Sequence, residues 1–357
     1  MRIIHRYLLR EYLTNFFYCS IGFLVLLIGN FLFELSDFLV DKRASVAVIG
    51  LLVYYQIPYL LMDVFPAAVL FGVFLGLGRL VRERELDAIR TSGWSFPTLT
   101  APLLLVTLIL CIGAYYFNDR VVPAANFRYE QEIRKLVYKD FIPFIQENVV
   151  FKGPDDRFFY LRRVNERDRT VEGILIYQSE GQGFPRLIAA ASGRIEEQFW
   201  HLKEGNYYEL DRAGQITTVT AFEELVEDVG EDLSVFLGQS KGVDEMSRAE
   251  LKHYMAIYAK SGLSISSFAV NYHLKVALPF AGLILAFLGL PFATMFPKSG
   301  RALGLAASLL LIMVYFFSTV LFREMGVSGL LSPFWAAWLP NVFFLVLGIV
   351  LLFFVIK

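Results

Sequence analysis

Along this chain, long unbroken apolar runs alternate with short charged stretches. Six runs are long enough for a bilayer-crossing helix of about twenty residues, the second of them longer than a straight crossing needs: Phe16–Phe33, Ile49–Leu77, Leu99–Phe117, Val276–Met295, Ala302–Leu321 and Phe334–Ile356. Between the third and fourth runs the pattern changes to the alternation of half-buried strands. Seven such segments are predicted: Val149–Lys152, Phe158–Val164, Ile174–Gln178, Gly193–Gln198, Phe199–Leu202, Tyr207–Asp211 and Ile216–Phe222. Turn chemistry separates them at Gly153–Asp156, Asn165–Asp168, Glu180–Gly183, Glu204–Asn206 and Arg212–Gly214. The expected fold class is therefore a membrane α-helical protein with six transmembrane helices and an inserted extracytoplasmic all-β domain, a sandwich or jelly roll. Its expected parts are residues 1–117 (helices one to three), 118–268 (the β domain with flanking helices) and 269–357 (helices four to six).

Local signals refine these parts. Met1–Asn15 carries Arg2, Arg6 and Arg10 among apolar residues and reads as a basic helix lying on the membrane surface. In the second run, Pro58 and Pro66 flank Asp63. Either a bent helix turns Asp63 toward protein or water, or the helix breaks near Pro58 and leaves Asp63 at the outer interface. Ala68, Gly72 and Gly76 form a small-residue stripe that lets another helix approach closely. Ser247-Arg248-Ala249-Glu250 is a capping box, opening a helix with Gly262 as its stop.

Composition agrees with the pattern. The chain is 56% hydrophobic, above an ordinary soluble domain, and its mean hydropathy is +0.52. A net charge of −1 gives no footprint for nucleic acid, and no nucleic-acid partner is expected. Cys19 and Cys111 both fall in apolar runs, so a disulfide framework is not expected. No small-residue cleavage site follows the first run, which reads as a retained helix. With the N-terminus inside, ten Lys and Arg residues of the short loops and termini lie inside and only Lys42, Arg43 and Arg323 outside. That asymmetry orients the chain with both termini cytoplasmic and the β domain outside.

No phosphate-cradling glycine loop, zinc-spaced His/Cys set or nucleophile elbow occurs in the sequence. No cofactor, metal or catalytic residue is expected, and the chain reads as a passive transducer driven by a separate engine. The stretch where that engine would act is Arg79–Ser95, charged and flanked on both sides by apolar runs. Projected on one helix, Val81, Glu85, Ala88, Ile89 and Ser92 share a face, and Glu83, Arg84, Asp87 and Arg90 share the other. Glu85 stands alone in a small, apolar stripe. Two readings stay open for it: a docking contact for a partner, or a pairing with Arg82. Gly93 permits the turn back to the membrane.

Several of these features together resemble the lipopolysaccharide export permeases, the LptF/LptG (YjgP/YjgQ) family. The features are Pro58-x7-Pro66 leading through Leu75-Gly76-Leu77-Gly78 to Glu85-Leu86 and Ser92-Gly93-Trp94-Ser95, the Arg6-Tyr7-Leu8 start, Trp200-x-Leu-x-x-Gly205, and Lys275-x3-Pro279. The resemblance spans essentially the full length. It implies an inner-membrane half-transporter of an ABC exporter that pairs with a sister permease chain. A cytoplasmic ABC ATPase dimer would dock on a coupling helix mapping onto Arg79–Ser95, with Val81, Glu85, Ala88, Ile89, Ser92 and Gly93 as contacts. A single-span periplasmic jelly-roll partner and a periplasmic bridge protein would continue the route. Lipopolysaccharide would enter through a lateral opening at the first and fifth spans and pass along the β domain. Lys42, Arg43, Arg120, Lys275 and Arg323 lie near the outer rim by topology, as phosphate contacts or as ordinary interface anchors. Glu34, Asp37 and Asp41 at the outer end of the first span depart from a basic rim and call for compensation by cations or a partner. Two other classes fit less well: a mechanotransmitting ABC permease, which usually has four spans, and a receptor with a sensing β domain, which needs no ATPase.

Overall fold

A computed structural model describes residues 3–36, 45–137, 145–152, 157–165, 169–178, 186–196, 199–210, 216–228, 241–260, 264–295 and 301–356. The predicted turns at Gly153–Asp156, Glu180–Gly183 and Arg212–Gly214, and the helix stop Gly262, lie outside the described residues. The helices are α1 (Ile3–Glu34), α2 (Val46–Arg82), α3 (Glu85–Thr91), α4 (Phe96–Val137), α5 (Arg248–Lys260), α6 (Ser266–Met295), α7 (Arg301–Val327) and α8 (Pro333–Ile356). Among the described residues, six of them, α1, α2, α4, α6, α7 and α8, are long and apolar enough to cross a membrane. Two compact units result: residues 1–133, 243–251 and 266–357, and residues 134–242 and 252–265.

In the helical unit, α2 and α6 form the buried middle: α1 packs on α2, α2 on α6, and α6 on α8. The small-residue stripe on α2 is the reason that α1 can approach. A Cβ on Gly72 would stand 3.0 Å from the Phe16 backbone, and one on Gly76 3.4 Å from that of Tyr12. Tyr12 and Phe16 of α1 are buried against this stripe together with Leu77 and Leu80. Thr107 Oγ1 of α4 donates to the Tyr12 hydroxyl at 3.0 Å. The break expected as one reading of Pro58 does not occur: α2 contains both Pro58 and Pro66 and continues through Asp63. Neighbouring helices hold such a prolyl helix together where lipid surrounds it. Likewise α4 contains Pro102 and Pro123 and runs on past Phe117 without interruption. The capping box forms, with the Ser247 amide donating to Glu250 Oε2 at 2.7 Å.

The second unit carries one six-stranded antiparallel sheet in the order β1-β2-β3-β4-β5-β6. The strands are β1 (Ile145–Lys152), β2 (Arg157–Asn165), β3 (Thr170–Gln178), β4 (Arg186–Glu196), β5 (Phe199–Leu210) and β6 (Ile216–Asp228). Each pairs with its successor in sequence, so the described strands form a meander without the Greek-key crossings of a jelly roll. One face holds a core of Phe159, Leu161, Ile174, Ile176, Ile188, Trp200 and Leu202. Seven predicted strands have become six because Glu204-Gly205-Asn206 is not a turn. Phe199–Leu202 and the described part of the next segment, Tyr207–Leu210, belong to the single strand β5, which passes straight through. Glu204 takes a positive φ of 52° there. Gly205 is needed for clearance, since its Cβ would lie 2.3 Å from Phe222 Cζ and 2.5 Å from the Ala189 carbonyl oxygen. The start of β4 at Arg186 lacks polar alternation, which hid it from sequence reading. On the opposite face Phe158, Tyr177, Leu187, Tyr208 and Val219 stand in register across β2 to β6, forming a second apolar row. Phe158, Tyr177 and Val219 of this row are exposed.

Candidate functional site

Two polar sites lie at opposite ends of the helical unit. The first is built on Arg79–Ser95, which is a tight corner and not one helix. α2 ends at Arg82, Arg84 adopts a left-handed φ of 58°, and α3 then runs for seven residues. Gly93, with φ 96°, reverses the chain into α4. The left-handed Arg84 resets the helical phase, so the single face projected from Val81 to Ser92 is split. Val81 and Ile89 pack into the apolar core beside the buried Leu86. Ala88, Ser92 and Gly93 stay open to solvent.

Glu85 does not pair with Arg82. The Tyr7 hydroxyl donates to Glu85 Oε2 at 2.7 Å and accepts from Arg79 Nη2 at 2.6 Å. Arg79 Nε also sits 3.0 Å from Glu11 Oε1. Two positions earlier, His5 meets Trp94 edge to face at 5.2 Å between ring centres. The first turns of α1 therefore hold the corner on both sides of α3. The groups are part-exposed, so the network contributes little stability and mainly fixes geometry. Tyr7, Glu11 and His5 were not singled out from sequence as corner residues. They lie at least 68 positions before Arg79–Ser95, and only the basic-aromatic pattern of the N-terminus marked them.

The second site is a cavity of about 190 Å³ between α2, α4, α6, α7 and the short 3-10 turn Val243–Glu245. Its polar lining is Tyr59, Asp63, Asn118, Asn126, Asp244, Asn271, Lys275, Thr319 and Arg323, closed by apolar residues including Pro66, Leu278 and Phe316. Lys275 is 8% exposed, and its Nζ makes one hydrogen bond, to the Asn118 carbonyl at 3.3 Å. Arg323 Nη2 lies 3.8 Å from Asp244 Oδ1. Thus Lys275 and Arg323, expected near one rim, line the same cavity. Arg120 is exposed and does not line it. Lys42 and Arg43 lie outside the described residues, as do Asp37 and Asp41. Asn118, Val122 and Asn126 recur every four residues on α4 and face the cavity together. That spacing was the available signal for the two asparagines, which lie just beyond the apolar run Leu99–Phe117. Among the described residues no group of three or more His, Cys, Asp or Glu side chains could hold a metal.

A bundle of membrane-length helices with an inserted antiparallel sheet, a charged corner at one end and a polar cavity at the other, defines a polytopic membrane protein with an inserted β domain. The lipopolysaccharide export system permease LptF/LptG family matches residues 6–353, and the chain belongs to it. It is 20% identical to the lipopolysaccharide export system permease protein LptF of Escherichia coli, over 98% of this chain and 94% of that protein. It is 26% identical to Escherichia coli LptG over 47% of each. An uncharacterised protein of Rickettsia prowazekii is 24% identical over 51% of this chain and 52% of its own length. In these last two alignments the chain spans about half of the relative.

Proposed function

We propose that this chain is the membrane permease half of a lipopolysaccharide exporter, powered by ATP hydrolysis in a separate cytoplasmic ABC ATPase dimer. The observation that carries this reading is family membership across residues 6–353, joined to six membrane-length helices around an inserted β unit. A sister permease chain completes the membrane cavity, and lipopolysaccharide reaches it from the outer leaflet of the inner membrane between the first and fifth membrane helices, α1 and α7. The lipid then moves along the β domain to a single-span jelly-roll partner and a periplasmic bridge protein. The positive-inside asymmetry supports cytoplasmic termini and a periplasmic β domain. The apolar row Phe158, Tyr177, Leu187, Tyr208 and Val219 supports a surface that acyl chains can follow. Lys42, Arg43, Arg120, Lys275 and Arg323 are assigned to lipid phosphates, as charge-assisted donors.

The corner is assigned to the ATPase. Ala88, Ser92 and Gly93 offer a small, solvent-open surface, while Val81 and Ile89 anchor it to the core and Glu85 sits at its edge. Because Tyr7 and His5 belong to α1, a push on the corner would reach the first membrane helix directly. Photo-crosslinkers at positions in α1, in α7 and at Tyr177 and Tyr208 should capture lipopolysaccharide in a functional complex. Capture at none of them would remove the export reading. Glu85→Ala should lower recovery of the ATPase with the complex and abolish export while the chain still inserts; unaltered assembly and export would sink the coupling role.

A further inference from the structure

The cavity between α2, α4, α6 and α7 holds polar groups of both kinds that lack partners. Among the described residues, the Asp63 carboxylate has neither hydrogen bond nor ion pair. Asn126 Oδ1, an acceptor, and Arg323 Nε, a donor, are buried without a hydrogen-bond partner. Lys275 has three N–H donors and satisfies one of them, weakly, on the Asn118 carbonyl. Leaving such groups dry and unpaired is costly, so the cavity is built for a polar occupant. That occupant must bring a hydrogen-bonding cation to Asp63 and Asn126, and an anionic oxygen to Lys275 and Arg323. A cavity of about 190 Å³ with this polar lining suits a small polar head group and disfavours an acyl chain. Phe316 and Val320 of α7 are among the apolar residues of the lining, and Val320 is 59% exposed. A tail could leave there along the lipid-facing side of the helix.

We propose that this cavity binds a phosphoethanolamine head group, its primary ammonium on Asp63 and Asn126 and its phosphodiester on Lys275 and Arg323. A quaternary ammonium cannot donate to the carboxylate, and a glycerol head group offers no cation, so choline and glycerol phospholipids should be rejected. Two sources carry the same chemistry: a membrane phospholipid, or a glycolipid decorated with phosphoethanolamine. The inference deepens the phosphate-contact role proposed above for Lys275 and Arg323 and rests on their facing lipid. Its readout, however, is lipid retention and not export.

The test is native mass spectrometry of the full chain in detergent, titrated separately with short-chain phosphatidylethanolamine, phosphatidylcholine and phosphatidylglycerol. Phosphatidylethanolamine should be retained at least about tenfold better, the weight of one strong charge-assisted hydrogen bond. Asp63→Asn should reduce it toward the phosphatidylcholine level, whereas Arg323→Gln should weaken retention of all three lipids, since the phosphodiester is common to them. Lys275→Met should act as Arg323→Gln does, and where it fails to accumulate the other two variants carry the test. A further arm compares lipid A with and without phosphoethanolamine. Stronger retention of the decorated form than of the phospholipid would support the proposal and make the glycolipid the source. Equal retention of the three phospholipids, selectivity unchanged in Asp63→Asn, or overall retention unchanged in Arg323→Gln, would overturn it. Selectivity present in a chain that does not export would count against the export reading alone.

Discussion

Glu85 illustrates how much a single side chain depends on distant sequence. Helical projection left it between a docking role and a local pair with Arg82. The fold hands it to Tyr7, 78 positions away, whose hydroxyl also accepts from Arg79. Tyr7→Phe should cost no more than about 1 kcal/mol, since the bonds are part-exposed. A double-mutant cycle with Glu85→Ala, read by thermal unfolding in detergent, should show coupling between the two; strict additivity would mean that the bond is not made in solution. Trp200 is a clearer case. It lies fully buried in the β core at 0% exposure, and Trp200→Ala should destabilise that unit by about 3–5 kcal/mol. Limited proteolysis of the β unit would report the loss.

At the scale of elements, small residues decide which surfaces meet. Gly72 and Gly76 were legible as a packing stripe, but their partner was not, because a stripe says how near a helix can come and not which helix. The partner is α1. Gly72→Leu should force α1 off α2, whereas Gly29→Leu, where a Cβ meets nothing within 4 Å, should be neutral. Comparing the two by thermal unfolding separates a packing clash from a general effect of adding apolar bulk; equal shifts would refute it. Gly205 misled in the opposite direction. Flanked by Glu204 and Asn206 it looked like a turn, yet it sits inside β5 to admit the Phe222 ring and the Ala189 carbonyl. A glycine that gives clearance and one that gives a positive φ are identical in sequence. In the corner Gly93 is of the second kind, and the left-handed position before α3 falls to Arg84, a residue that no turn rule singles out.

For the whole molecule, charge asymmetry makes a claim that is independent of any contact. A cysteine at Ser92 should react with a membrane-impermeant thiol reagent only after the inner membrane is breached. One at Thr218 should react from the periplasmic side of intact inner membrane, and the reverse pattern would invert the topology. Six membrane-length helices, the inserted β unit and the orientation signal were all readable from the chain. Each depends on local quantities: the length of an apolar run, alternation with period two, and the count of basic residues in short loops. The cavity and the Tyr7–Glu85 bridge were not readable. They gather residues from helices far apart in sequence, and a lipid-spanning run carries almost no periodic mark of which face is inside, since lipid and protein interior are both apolar. The sequence alone therefore determined which segments are membrane-length helices and which form the inserted β unit, and it carries the charge signal for orientation. Tertiary packing alone decided which buried charges meet, because that depends on which helices the small residues allow to touch.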